Sequence, residues 1–123
     1  MKRDMELIRT ILLKVEADPR FDGSVNPTDA ATLSITDYSN AEVIYHLVML
    51  VEAGFLDGNT KMRSMGNVPI FKLTWAGHEF LDNVRDPEVW HKTKARVAAT
   101  AGVALSVIAE IAKAEIMKRL GLP

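Results

Sequence analysis

The sequence predicts an α+β fold, mainly α, that contains a small three-stranded antiparallel sheet and two additional C-terminal helices. Apolar residues recur at helical spacing in five stretches of the 123-residue chain. Short β-compatible stretches, separated by turn residues, lie before and after the second of these helical stretches. Capping residues, prolines and glycines stand where the helices are expected to begin and end. We therefore expect five helices and one small sheet.

Residues 3–17 are predicted to form the first helix. The residues of its buried face recur every three or four positions: Met5, Ile8, Ile11, Leu12 and Val15. The helix is expected to end before Asp18-Pro19, because a proline disfavours helical backbone in the residue before it. Residues 18–32 are rich in aspartate, proline and glycine and predict a loop. Thr32 to Ile35 is a short stretch compatible with a strand.

A second helix is predicted from Ser39 to Ala53. Ser39 and Glu42 match a capping box, in which hydroxyl and carboxylate oxygens accept hydrogen bonds from backbone N–H groups at the helix start. Gly54 stands where a C-terminal cap is expected. The core stripe of this helix consists of Val43, Leu47, Leu50 and Val51.

A two-stranded ribbon is predicted after Gly54. Phe55-Leu56 begins its first strand, and residues 68–73 form the return strand. Residues 57–59 and 64–67 between them are rich in glycine, asparagine and other turn residues.

Three further helices are predicted after the ribbon. Thr74 is expected to cap a short helix, and Asp86-Pro87 to start the next, with aspartate at the cap and proline at the first helical position. The last helix is expected to stop at Gly121. The residues predicted to be buried are Trp75, Phe80, Leu81 and Val84 in the first of these helices, Val89, Trp90, Val97 and Ala101 in the second, and Leu105, Ile108, Ile111 or Ala112, Ile116 and Leu120 in the third.

This order of elements is that of a winged helix. We predict a winged-helix domain over residues 1–85 and a helical extension over residues 86–123, which packs on it or forms a dimer interface, as a single compact domain overall. One departure is that only residues 35–38 separate the short strand from Ser39, where winged helices usually place a further helix. The helix-turn-helix is therefore expected to be abbreviated or remade.

Several motifs resemble known proteins. Residues 45–56, Tyr-His-Leu-Val-Met-Leu-Val-Glu-Ala-Gly-Phe-Leu, resemble the segment from recognition helix to wing in bacterial winged-helix regulators. Nearly the whole chain resembles a small bacterial and phage family described as a domain of unknown function. The shared motifs lie at Met1–Met5, Tyr45–Leu47, Ala53–Gly54, Leu73–Leu81, Arg85–Asp86 and Trp90. The resemblance implies a winged-helix-like fold and brings no established activity.

Composition excludes several classes of protein. The chain has no cysteine, which excludes disulfides, thiolate nucleophiles and cysteine-bound zinc, and which fits a reducing cytosol. Its 15 basic and 16 acidic side chains neither support nor exclude nucleic acid as a partner. The N-terminal residues do not match a secretory signal. The longest uncharged apolar run, residues 97–109, is shorter than the roughly 20 residues of a membrane span. We therefore predict a cytoplasmic protein that does not bind membranes.

The histidines and acids do not predict a catalytic or metal site. His78-Glu79 matches half of a His-Glu-x-x-His zinc motif, but position 82 is aspartate. His46 and His91 lie on other predicted helices. The sequence contains no Gly-x-Ser-x-Gly elbow, phosphate loop or Gly-x-Gly-x-x-Gly motif. We predict a non-enzymatic protein without metal or cofactor.

Two functions are left open by the residues. The sequence favours the first, a small DNA-binding transcriptional regulator of bacterial or phage origin that contacts double-stranded DNA, because of the order of elements and because the wing carries Lys61, Arg63 and Lys72. The second is a protein–protein interaction module, such as a phage or host adaptor, because residues 37–53 hold three carboxylates and no lysine or arginine, together with Tyr45 and Met49. The candidate DNA-binding residues are Lys2, Arg3, Asn40, Tyr45, Lys61, Arg63 and Lys72.

The C-terminal helices predict a homodimer. Residues 97–117 are rich in alanine, valine, isoleucine and methionine, and a small domain needs only one such helix to close its core. The alternative is that this surface packs within the chain. The candidate dimer-interface residues are Ala101, Leu105, Ile108, Ala112 and Ile116.

Overall fold

The structure is a computed structural model that describes residues 1–62, 66–98 and 103–123. Within them the chain forms five helices and a three-stranded sheet, which confirms the predicted α+β class, mainly α. The elements, in chain order, are α1 (Met5–Ala17), β1 (Asn26–Thr28), α2 (Asn40–Glu52), β2 (Leu56–Gly58), β3 (Val68–Leu73), α3 (Trp75–Val84), α4 (Pro87–Val97) and α5 (Leu105–Arg119).

The sheet has the strand order β1-β3-β2, and both pairings are antiparallel. The β2–β3 hairpin, with the connection between its strands, is called the wing below. The first strand lies at Asn26–Thr28, inside the predicted loop, so the strand predicted at Thr32–Ile35 is wrong. Pro27 favoured a loop in the sequence, because proline has no backbone N–H to donate within a sheet. β1 is an edge strand, however, and an edge strand tolerates the missing donor.

Residues 29–34 form a single helical turn in place of the predicted strand. The Asp29 carboxylate accepts a hydrogen bond from the backbone N–H of Thr32, and the Thr32 hydroxyl accepts one from the backbone N–H of Asp29. The turn ends at Ser34 (φ 55°), with hydrogen bonds from Ser34 N–H to the Ala31 carbonyl and from Ile35 N–H to the Ala30 carbonyl. This is the bonding of a Schellman cap, with serine in the position that glycine usually takes. The abbreviated element expected before α2 is therefore one capped turn.

α2 has the predicted bounds and caps. Ser39 and Glu42 form the capping box, and Gly54 (φ 84°) follows the helix in a left-handed conformation. Val43, Leu47 and Leu50 are buried, as predicted, whereas Val51 is half-buried. The buried apolar side chains of α1, α2 and the sheet form the core around α2: Leu7, Ile8, Ile11, Leu12, Val15, Val43, Leu47, Leu50, Leu56, Val68 and Ile70.

α3 begins where its backbone approaches the end of α2. The Thr74 hydroxyl donates to the carbonyl of Gly54 (2.6 Å) and accepts a bond from the backbone N–H of Gly77 (3.0 Å). A Cβ at Gly77 would collide with the carbonyl oxygen of Phe55, so only glycine fits there. The prediction that Trp75 is buried is wrong. As the first residue of α3 it lies before the helix's buried face begins, and its side chain is 80 % exposed.

By its internal contacts the chain divides into two compact units, Met1–His78 and Glu79–Pro123. The division lies inside α3. In the second unit Asp86 caps α4 as predicted, and α4 packs against α5. The Arg96 guanidinium lies 2.8 Å from the Glu115 carboxylate, which is almost fully buried.

The residues predicted for a dimer interface fall into three groups. Ile108 and Ala112 are buried within the chain, which fits the alternative of internal packing at these two positions. Leu105 and Ile116 are half-buried, and Ala101 lies outside the described residues. Leu120, predicted to be buried, is 67 % exposed because the helix has already ended at Arg119.

Candidate interaction surface

One face of α2 is exposed or half-buried along the length of the helix. Its four residues, spaced three or four positions apart, are called the α2 face: Ala41, Tyr45, Val48 and Glu52. Ala41, Tyr45 and Glu52 are exposed and Val48 is half-buried. Ile44 and Met49 flank the stripe and are also half-buried. The surface that α2 presents is therefore mainly apolar; its acidic side chains are the exposed Glu52 and the half-buried Glu42 near the start of the helix.

His46, on the opposite side of α2, fixes the helix against the start of α1. Its ring is 1 % exposed, and Nε2 accepts a hydrogen bond from the backbone N–H of Asp4 (2.8 Å). Since Nε2 is the acceptor, the proton of the neutral ring lies on Nδ1, which donates to the carbonyl of Glu42 (2.7 Å). His46 is therefore a buried residue that holds α2 in position against the start of α1.

Asp4 joins three parts of the first unit. Its Oδ1 caps α1 by accepting bonds from the backbone N–H groups of Glu6 and Leu7, and its Oδ2 accepts a bond from the Tyr38 hydroxyl (3.2 Å). Burial, with the nearby Asp4 carboxylate as a second cause, raises the pKa of Tyr38. The phenol consequently stays protonated and keeps donating. The motifs at Met1–Met5 and Tyr45–Leu47 thus meet in one hydrogen-bond network.

Asn40, a predicted DNA-reading residue, is engaged within the protein. Its Oδ1 accepts a bond from the backbone N–H of Ala30 (2.9 Å), and its Nδ2 donates to the carbonyl of Gly66 (3.0 Å). The side chain thereby ties the start of α2 to the one-turn helix on one side and to the wing on the other. These two bonds use one lone pair and one N–H of the amide and fix its orientation, so only its remaining lone pair and N–H could meet a base edge.

The predicted basic residues that the structure describes lie on three segments of the chain. Lys2 and Arg3 are exposed and line a cavity of about 480 Å³ together with Glu42, beside the start of α2. Lys61 is exposed in the wing, and Arg63 lies outside the described residues. Lys72 is exposed near the C-terminal end of β3, and its backbone lies opposite that of Asp57 in the register of β2 and β3.

Tyr45 is a predicted contact residue on α2 that is exposed and lies on the α2 face. Its side chain is 40 % exposed, and its ring packs edge-on against His46, with 5.7 Å between the ring centroids. The stacking holds the phenol in a fixed position on the α2 face. Tyr45 therefore combines apolar area, one polar atom and a low entropic cost of binding.

Trp75 is the exposed residue that the sequence reasoning missed. Helical spacing placed it with the buried residues of α3, whereas its position directly after the cap Thr74 was the signal for exposure. Met62 in the wing is likewise 73 % exposed.

In the described ranges, no three histidine, aspartate or glutamate side chains are close enough to hold a metal ion. The same ranges contain no helix that is both long and apolar enough to cross a bilayer.

The fold and this surface define a class: a small α+β protein, mainly α, with a three-stranded antiparallel sheet and a central helix that shows a largely apolar face. Comparison with protein families gives the family. The family described as "Hypothetical protein (DUF2513)" matches residues 2–104, and the chain belongs to it. An uncharacterized protein of Haemophilus influenzae is 32 % identical over 123 residues, covering 98 % of this chain and 99 % of that one. No solved structure matches the chain.

Proposed function

We propose that the chain is a non-enzymatic protein-interaction module that binds its partner through the α2 face. The observation that carries the proposal is the composition of this face. Between residues 37 and 53 the chain has no lysine or arginine, and the accessible side chains of α2 are mainly apolar. Protein interfaces favour aromatic residues and deplete lysine, whereas DNA readout requires cationic or amide donors on the exposed helix face.

The engagement of Asn40 strengthens this preference. Asn40 is the residue of α2 whose amide matches a base edge, and both ends of that amide are already hydrogen-bonded. The amide keeps one N–H and one lone pair, but the two bonds hold it in an orientation set by Ala30 and Gly66. Reading a base through both of its ends at once is therefore less favourable than for an amide that is free to turn.

The shape and charge of the α2 face describe the partner. From Ala41 to Glu52 the face spans about 16 Å, at 1.5 Å per residue, which is the length that a groove or one facing helix covers. Glu52 at one end and Asp37 before the other favour basic residues at the rim of that partner surface. We expect an apolar groove or helix with a basic rim.

Capture from a lysate of the natural host tests the proposal. Wild-type chain is expected to retain a specific protein that Ala41→Arg and Tyr45→Glu lose. Val25→Glu is the matched control, because Val25 is an apolar residue, 66 % exposed, outside the α2 face. A partner retained equally by all variants, or lost equally with Val25→Glu, contradicts the proposal.

A second candidate is weak, sequence-independent binding to duplex DNA. Lys2 and Arg3 lie beside the start of α2, and Asn40 links that end of α2 to the wing that carries Lys61. Three phosphate contacts would give affinity that falls about 40-fold between 50 and 200 mM salt. Lys61→Glu should then reduce the salt slope by about one. Binding that is absent at low salt, or indifferent to salt, excludes this candidate.

A further inference from the structure

A cavity of about 260 Å³ lies in the first unit, lined by residues that the α2 face does not include. α1, the loop that follows it, the end of β3 and the first turn of α3 all contribute to its wall. The lining residues are Val15, Glu16, Phe21, Asp22, Lys72, Leu73 and His78. Three of these side chains are apolar and four can carry a charge.

Backbone hydrogen bonds hold the loop side of this cavity. The N–H of Gly23 donates to the carbonyl of Phe71 in β3 (3.0 Å), and the N–H of Phe21 donates to the carbonyl of Asp18 (3.2 Å). Gly23 has a φ of 107°, a conformation that favours glycine. The loop therefore presents Phe21 and Asp22 to the cavity on a backbone that is anchored to the sheet.

Asp22 supplies a fixed negative charge. Its Oδ1 accepts bonds from the hydroxyl of Ser24 (2.7 Å) and from the backbone N–H of the same residue (3.0 Å). These two bonds, the hydroxyl first, hold the pKa of Asp22 below its usual value of 3.8. Both end on Oδ1, so a ligand would be expected to take Oδ2.

The permanent positive charge of the lining comes from Lys72 on β3. Lys72 is exposed on β3, and the Nδ1 of His78 lies 3.7 Å from the Glu16 carboxylate. The lining thus contains the Lys72 ammonium group, the His78 imidazole and two carboxylates, that of Glu16 beside His78 and that of Asp22 on the loop. Val15, Phe21 and Leu73 supply apolar surface between them.

We propose that this cavity binds a small zwitterion of the α-amino acid type. The ligand's ammonium group pairs with Asp22, its carboxylate pairs with Lys72, and its side chain lies against Val15, Phe21 and Leu73. The opposed charges of the lining match the two charges of such a molecule, which neither a simple anion nor a simple cation would satisfy. This inference does not depend on the proposed function of the α2 face.

The volume of the cavity fits this class of ligand. Pockets for drug-sized molecules usually enclose about 300–1,000 Å³, so 260 Å³ suits something smaller. A free amino acid of about ten non-hydrogen atoms occupies a comparable space.

Titration with L-leucine, followed by the ring proton signals of His78, tests the proposal. His78→Gln assigns those signals. The expected result is a saturable shift, with at least about tenfold weaker binding of N-acetyl-leucine, which lacks the ammonium group, and of leucinamide, which lacks the carboxylate. Leucine, lysine, glutamate and phenylalanine, each at up to about 10 mM, form the probe set.

Charge-removing variants separate the two contacts. Lys72→Gln is expected to weaken leucine binding at least about fivefold and to leave leucinamide unchanged, while Asp22→Asn weakens both. Lys61→Gln, an exposed lysine of the wing outside the cavity lining, is the control and leaves binding unchanged. Circular dichroism verifies that each variant is folded. No saturable shift with any of the four amino acids, or equal binding of N-acetyl-leucinamide, overturns the proposal.

Discussion

His46→Ala is expected to lower the free energy of unfolding by about 3–4 kcal/mol. The ring is 1 % exposed, so its removal leaves a cavity, and truncating a buried side chain of this size costs about 2 kcal/mol. Loss of Nε2 leaves the partly buried backbone N–H of Asp4 without its acceptor, which adds about 1–2 kcal/mol. The lost bond to Glu42 adds least, because that carbonyl also accepts the helical bond from the N–H of residue 46.

Urea unfolding followed by circular dichroism measures this loss. With a slope of about 1.5 kcal/mol per molar urea, the unfolding midpoint should fall by about 2 M. His46→Phe keeps most of the ring volume and removes both nitrogens, so it should cost about 2 kcal/mol and separate the hydrogen-bond contribution from the packing contribution.

His91→Ala is the matched control, because His91 is an exposed histidine on α4. Its replacement should change the free energy of unfolding by less than about 0.5 kcal/mol. A loss below about 1 kcal/mol for His46→Ala, or one equal to that of His91→Ala, refutes the role given to His46 in joining α1 to α2.

Three further predictions concern caps and close packing. Ser34→Gly should stabilise the chain by about 0.5–1 kcal/mol in thermal or urea unfolding, because φ is 55° there; an unchanged stability would contradict the Schellman cap. Gly77→Ala should cost at least about 2 kcal/mol in the same assay, since its Cβ meets a backbone carbonyl; a neutral change would exclude that close approach. The pKa of Asp86 is held below its usual value of 3.8, first by the backbone N–H of Val89 and then by Arg119. Because the pKa of Asp86 is lower in the folded state than in the unfolded state, its ionised carboxylate stabilises the folded protein above the unfolded pKa, and this contribution is lost as pH falls through the folded pKa. Wild type should therefore lose stability relative to Asp86→Asn as pH falls below 3.8, and parallel stability curves for the two proteins would contradict this prediction.

Local signals in the chain were enough to locate most helices. Ser39 with Glu42, Asp86 with Pro87, and Gly54 each satisfy backbone groups at a helix end, and these bonds depend on residues a few positions apart. Such short-range chemistry is readable without knowledge of the tertiary structure.

The first strand and the one-turn helix could not be predicted in the same way. β1 exists because Asn26–Thr28 pairs with β3, about 40 residues further along the chain, so its own residues carry little strand signal. The turn at residues 29–34 depends on the reciprocal bonds of Asp29 and Thr32 and on a serine in a left-handed conformation. A glycine at position 34 would have indicated this cap from the sequence, whereas a serine does not.

The candidate site was only partly predictable for a related reason. The absence of bases on α2 and the presence of Tyr45 were visible in the sequence. The hydrogen bonds of the Asn40 side chain are made to residues that are distant in the sequence. The exposure of Trp75 likewise depends on which residues surround it in the folded chain. Tertiary hydrogen bonds decided which polar residues remained accessible.

Photo-crosslinking from position 45 in the natural host tests the central claim most directly. A photoreactive phenylalanine analogue replaces Tyr45, and the same analogue at Val25 is the control, because both side chains are exposed. Protease and nuclease treatment then identify the crosslinked species. The α2 face as proposed predicts a discrete protein adduct from position 45 that position 25 does not give. A nuclease-sensitive adduct from position 45, or the same products from both positions, would contradict it.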